Sequence, residues 1–170
     1  MACRRSWVQV PHGPPMKLLK LKSFRQSPGL CGPASLKIVL EYYGIEKSEQ
    51  ELTKMCGATA KNGVEAEPII AVAKKLGLKG FIKDHSNLND LAKYLAKKIP
   101  IIVDWFSTDD GHYSVVVGLE KKFIYLEDPE LGGLNKIKID VFYRNWFDFK
   151  GNFINKPSDL IIRRILVIHQ

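Results

Sequence analysis

The chain has no run of about 18 uninterrupted apolar residues, the length a bilayer-spanning helix needs, so its 170 residues give no reason to expect a channel or an integral membrane enzyme. Its N-terminus also lacks the continuous apolar stretch of a secretory signal, because Arg4, Arg5, Gln9, Pro11 and His12 interrupt it. Cysteine is scarce. Cys3, Cys31 and Cys56 form no C-x-x-C pair and are too few and scattered for a disulfide framework or a cysteine-rich zinc centre. A reducing, cytoplasmic compartment is therefore expected. Of the four histidines, His85 and His169 have no ligand partners at metal-binding spacing, and neither a metal nor another cofactor is expected. Acidic residues fall short of basic ones, 18 against 26, for a net charge of +8. The excess is spread along the whole chain, often at polar positions of predicted helices, as at Lys93, Lys97 and Lys98. A solvated basic surface fits that pattern better than a nucleic-acid site does, and no nucleic-acid partner is expected.

What remains is a chain of ordinary globular texture, 45% hydrophobic and 26% charged, of a size at which one domain with one core is the default. Residues 1–15, ending Pro11-His12-Gly13-Pro14-Pro15, show no periodicity and are predicted to be a disordered extension or leader that also carries Cys3. The domain is taken as 16–170. From Cys31 to Tyr43 apolar residues recur at helical spacing up to Gly44, with Pro33 in the first turn, where its missing N–H is harmless. Further helices are predicted over 49–55, opened by a capping box of Ser48 and Glu51, over 67–76, and from Asn87 or Asn89 to Lys98. After Pro100 the texture changes to short β-branched or aromatic runs at 101–106, 113–119, 123–127, 134–139 and 160–168, interrupted by a short helix at 140–147 capped by Asp140. Helices first and an antiparallel sheet second make the fold class α+β.

The chemistry-bearing residues follow that division. Cys31 opens the first helix, and a helix N-terminus together with a neighbouring imidazolium is the environment that turns a thiol into a nucleophile. His112 starts a strand and can supply the imidazole if the helical layer packs on the sheet with a cleft between. Asp128 ends the following strand and can fix the tautomer of that imidazole. Gln26 lies five positions before Cys31 in a loop bent by Pro28 and Gly29, where its amide can join the Cys31 N–H against an oxyanion. Each residue alone has a bland reading. A cysteine can be a small core residue, a histidine a sheet-edge donor, an aspartate before proline a turn, and a loop glutamine merely solvated. It is their combination in the order Gln, Cys, His, Asp that points to acyl transfer. Cys56, near a helix end before Gly57, is read as core.

The segment QSPGLCGPASLKIVLEYYG, from Gln26 to Gly44, resembles the cysteine box of the bacteriocin-processing peptidases, papain-like enzymes that cleave double-glycine leader peptides. GHYSVVVG and the later EDP resemble that family's histidine and aspartate boxes, at gaps of 81 residues from Cys31 to His112 and 16 from His112 to Asp128. The resemblance extends from about Phe24 to about Trp146. It implies a papain-like fold in which an N-terminal helical layer packs on a C-terminal antiparallel sheet, with Cys31 as nucleophile, His112 as base and acid, Asp128 as orienting carboxylate and Gln26 as oxyanion donor. It further implies a peptide or protein substrate cut after a Gly-Gly type pair, and a partner in a separate membrane transporter. Two departures stand out. The loop from glutamine to cysteine is one residue shorter than usual, and Leu30 stands where an acidic residue is common. Because many relatives are the N-terminal part of an ATP-driven exporter, whereas this chain shows neither a membrane segment nor a phosphate loop, a stand-alone domain is expected, peripheral to the membrane at most. A transpeptidase, amidase or isopeptidase on the same fold, and a non-catalytic leader-binding module, are the alternatives.

Overall fold

The computed structural model describes residues 18–108, 110–151 and 153–170; the extension over residues 1–15, with Cys3, lies outside them. Five helices form where local signals favour them: α1 Cys31–Tyr42, α2 Glu49–Cys56, α3 Ala66–Lys75, α4 Leu88–Ala96 and α5 Ile139–Asn145. The capping box at Ser48 is present, its side chain accepting from Glu51 N while Glu51 caps Ser48 N in return. Asn87 and Asp90 form a second box at α4. Gly44 follows α1 with φ of 78°, a left-handed turn that glycine adopts without penalty.

Eight strands complete the fold: β1 Lys79–Lys83, β2 Ile101–Phe106, β3 Gly111–Leu119, β4 Phe123–Asp128, β5 Gly133–Lys138, β6 Phe147–Phe149, β7 Leu160–Ile162 and β8 Arg164–His169. Six of them build one antiparallel sheet in the order β1-β8-β2-β3-β4-β5, and β6 pairs with β7 in a small second sheet. Alternation along the central strands assigns the faces. Ile102, Tyr113, Val115, Val117 and Leu166 meet α1, α2 and α3 in one apolar cluster. Ile101, Val103, Trp105, Val116 and Val167 meet α4 and α5 in the other. Each fully buried Leu or Ile in these clusters contributes roughly 1.5–3 kcal/mol before the entropy of ordering is counted. The helical layer expected on the sheet is thus α1–α3, and α4 and α5 add a third layer behind it.

Three local expectations need correction. Asp140 does not cap the short helix; Lys138 is its N-cap residue, with no side-chain bond, and Asp140 sits in the first turn. The run 160–168 is not one strand, because Arg163 turns left-handed at φ of 49° and gives its N–H to Trp146 O, sending β7 and β8 to different sheets. The sheet also gains β1, whose edge position leaves Lys79 and Phe81 exposed and so blurs the period-two signal. Among the described residues no helix is long and apolar enough to cross a membrane.

Candidate active site

Cys31 lies at the first position of α1, a helix buried along most of its length, so the thiol stands at a helix start held inside the molecule. One turn later, Ser35 donates its hydroxyl to Tyr113 O at 3.0 Å. That bond pins the cysteine's helix onto β3 beside His112. The loop before the helix is equally constrained. Gly29 has φ of 72°, and a Cβ there would run into the carbonyl of Ala60; a Cβ on Gly32 would run into Val64. Ser27 donates N–H and hydroxyl to Glu49 at 2.8 and 2.6 Å, while Gln26 N donates to Pro129 O at 2.8 Å. The glutamine loop is therefore tied to α2 on one side and to the turn after Asp128 on the other.

His112 is 6% exposed, and its Nε2 meets Asp128 Oδ1 at 2.8 Å. The Cys31 thiol is the other side chain that acts on the imidazole. Burial lowers the pKa of this imidazole, yet hydrogen bonding and electrostatic attraction from Asp128 and Cys31 outweigh burial and push it up to about 10. An imidazolium at neutral pH follows. Asp128 is 3% exposed. Burial raises its carboxyl, but bonds from His112, from Asn135 Nδ2 at 3.1 Å and from Glu130 N at 3.1 Å hold it below the usual carboxylate range. The indole of Trp105, fixed by its Nε1 bond to Ser114 Oγ at 3.1 Å, stands edge-on to the imidazole with centroids 6.1 Å apart and keeps water from that side.

All four residues singled out from the sequence thus fall at one locus. Cys31, His112 and Asp128 form a line of contacts, and Gln26 reaches it through its backbone bond beside Asp128. The Gln26 Oε1 is buried, and no donor reaches it among the described residues. Cys56, by contrast, is core, 6% exposed, with burial pushing its thiol up to about 11. Asn135, Glu130, Ser35 and Trp105 escaped the sequence reading. The hairpin after Asp128 is the one signal that pointed near Asn135. His112, Asp128 and Glu130 also offer donor atoms within 4.8 Å of one another, but a metal on Nε2 would have to replace the His112–Asp128 bond that orients the ring. The group is better suited to holding a proton than to holding an ion.

Residues 24–150 match the Peptidase C39 family. The chain belongs to that family. It is 32% identical over 132 residues to an uncharacterized protein of Methanothermobacter thermautotrophicus, covering 76% of this chain and 84% of the relative. The peptidase domain of Streptococcus ComA, a bi-functional ABC transporter involved in quorum sensing, superposes with a TM-score of 0.68 at 25% identity, covering 88% of this chain and 98% of that one. A double-glycine motif protease of an AMS/PCAT transporter, solved with its leader peptide, gives a TM-score of 0.67 at 24% identity over 94% and 96% of the two chains. The fold is the papain-like fold of these peptidase domains, and this C39 member is a cysteine peptidase.

Proposed function

We propose that the chain hydrolyses leader-type peptides after a small-residue pair of the Gly-Gly kind, using Cys31, His112, Asp128 and Gln26 in the roles their positions suggest. The observation that carries this reading is the buried imidazole held between Asp128 at 2.8 Å and the Cys31 thiol. The thiolate of Cys31 attacks the scissile carbonyl carbon. The oxyanion that forms meets the Cys31 N–H, one of the amides a helix start leaves without an intrahelical partner, and the amide of Gln26. Such a donor pair is worth roughly 3 kcal/mol per donor in comparable sites. His112 gives its proton to the departing amine, leaving an acyl group on sulfur, then draws a proton from the water that releases it. Asp128 holds the ring in one orientation through both steps.

The partner in this reading is a peptide carrying its own leader, with a separate transporter receiving the product on the cytoplasmic side of a membrane. Support comes from the ABC transporter context of the ComA and PCAT peptidase domains and from a net charge of +8, which suits a surface near anionic lipid. The test is mass spectrometry of peptides bearing Gly-Gly, Gly-Ala and bulkier pairs, incubated with the protein with and without a primary amine. Hydrolysed products after the small pairs, unchanged by the amine, are expected. Capture of the acyl group by the amine in preference to water would replace hydrolysis with transpeptidation, and tight peptide binding with no cleavage would leave a docking module.

A further inference from the structure

Four carboxyl groups gather on one side of Cys31, although the chain as a whole is basic. Asp104 in β2 is 2% exposed, Asp148 in β6 is half-buried, and Asp110 and Glu65 are exposed, so the cluster runs from solvent into the protein. The sheet register explains the inner end. Asp104 stands opposite Tyr113 on one neighbour and Arg164 on the other. The crossing β6 lays the Asp148 carboxyl against Gly111, where any Cβ would collide with it. The two carboxyl groups lie within hydrogen-bonding reach of each other, Cys31 is close enough to act electrostatically on Asp104, and Asp110 and Glu65 act on Asp148.

An internal cation normally discharges such a cluster. Here Arg164 faces Asp104 and offsets part of its charge, but its Nε and Nη2 are given to Asp84 at 2.7 and 3.0 Å. No donor reaches the buried Asp104 Oδ1 among the described residues, and a buried oxygen left so is unfavourable. Two carboxyl groups in contact can share a proton or hold a cation between them. The ligand-free protein takes the first course: burial raises both above the usual carboxylate range, with Asp148 adding to the rise of Asp104 and the charges of Asp110 and Glu65 adding to that of Asp148. The walls suit the second. Phe106, on the same face of β2 as Asp104, stacks on Phe147 and Phe149 at 5.5 and 5.6 Å, so apolar rings lie beside the two acids. An aliphatic stem ending in a positive charge fits such a lining.

We infer that Asp104 and Asp148 form a specificity pocket that takes a lysine or arginine side chain of the peptide substrate, within two residues of the bond attacked by Cys31. The inference rests on the peptidase reading above. The cation arrives with each substrate and displaces the shared proton, so the preference for a basic residue strengthens as pH rises.

Two measurements test the pocket separately from catalysis. In the first, Cys31 is modified by a trimethylammonioethyl or a methyl methanethiosulfonate, and the rates at Cys31 are read by mass spectrometry against a free cysteine amide. The cationic reagent is expected to be favoured by about tenfold, with most of that ratio lost in Asp148→Asn and in Asp104→Asn but kept in Asp140→Asn on the opposite face. In the second, peptides carry lysine or norleucine at each of the two positions that follow the cleaved bond, behind a constant Gly-Gly pair. One position should favour lysine by about tenfold or more in kcat/KM, and Asp148→Asn should abolish the preference. Cleavage without a lysine preference, or a cationic labelling ratio that survives both substitutions, overturns the pocket. Cationic labelling preference without cleavage of any peptide upholds the pocket and overturns the peptidase reading alone.

Discussion

Replacing Asp128 by asparagine removes a charge while keeping the shape, and so isolates what the carboxylate does for His112. Asp128 Oδ1 accepts from His112 Nε2 at 2.8 Å and from Glu130 N at 3.1 Å, while Oδ2 accepts from Asn135 Nδ2 at 3.1 Å. Asparagine can keep its oxygen toward the first two, and the Asn135 amide can turn to present its own oxygen to the new NH2 group. Geometry then survives, and the lost quantity is the charge. A hydrogen bond to a charged group contributes about 1.5–3 kcal/mol, and one pKa unit corresponds to about 1.4 kcal/mol. The imidazole, raised to about 10 in the intact site, should therefore fall by roughly one to two units. The alkaline limb of the pH–rate profile, set by loss of the His112 proton, should shift down by the same amount, and kcat/KM should drop about 10- to 100-fold. Peptide hydrolysis across pH 5 to about 10.5, paired with an NMR titration of the His112 ring carbons, reads both quantities. An alkaline limb that stays in place, with kcat/KM within about twofold of the parent, would refute the assignment of Asp128 as the charge partner of His112.

Cys31→Ala should abolish cleavage and Cys56→Ala should leave it nearly intact; iodoacetamide at about pH 6 should label Cys31 first, because the Cys56 thiol is buried and pushed up to about 11, and faster labelling of Cys56 in the folded protein would reverse the two roles. His112→Ala should slow alkylation of Cys31, an outcome that unchanged alkylation rates would contradict. The same histidine predicts a pH-dependent stability: its folded pKa of about 10 lies above the unfolded value of about 6.5, so its contribution is complete below about pH 6.5 and is lost as pH rises toward about 10. Thermal unfolding should show that decline in the parent and a flatter profile in His112→Ala. On the substrate side, replacing the final glycine of a Gly-Gly peptide by valine should cost at least about 2 kcal/mol in transition-state binding, and equal turnover of the two peptides would move the protein toward a broader amidase.

How far the fold was legible depends on which interaction decides each element. Helices α1 to α4 were readable because their signals are local: the box at Ser48, an asparagine start before Leu88, the stop at Gly44, and apolar spacing along one face of each helix. Strands β2 to β5 were readable from dense β-branched runs. The elements that escaped are decided by distant partners. β1 carries lysine at both ends and a glycine within, and it is a strand because β8 pairs with it over five positions. β6 follows a short helix so closely that its three residues continue the helical pattern until they pair with β7. The break at Arg163 is fixed by bonds to Trp146 O and Ser86 O, neither of which is near it in sequence.

The residues of the proposed site show the same division at finer scale. Cys31 and Gln26 could be read because one short segment holds both, together with the glycines that let the loop approach Ala60 and Val64. His112 and Asp128 needed only that neighbouring strands β3 and β4 place them side by side, which a hairpin guarantees. The carboxyl groups of Asp104 and Asp148 had no such signal. Asp104 stands in a hydrophobic strand where alternation alone asks for an apolar residue on the face toward α1, and its acid was passed over as part of the run 101–106. A buried acid interrupting an apolar face is destabilising unless something meets it. In this fold the group that meets it comes from β6, an element that alternation could not place. The residues proposed for catalysis are therefore written in contiguous motifs, whereas the acids proposed to read the substrate are assembled by long-range topology.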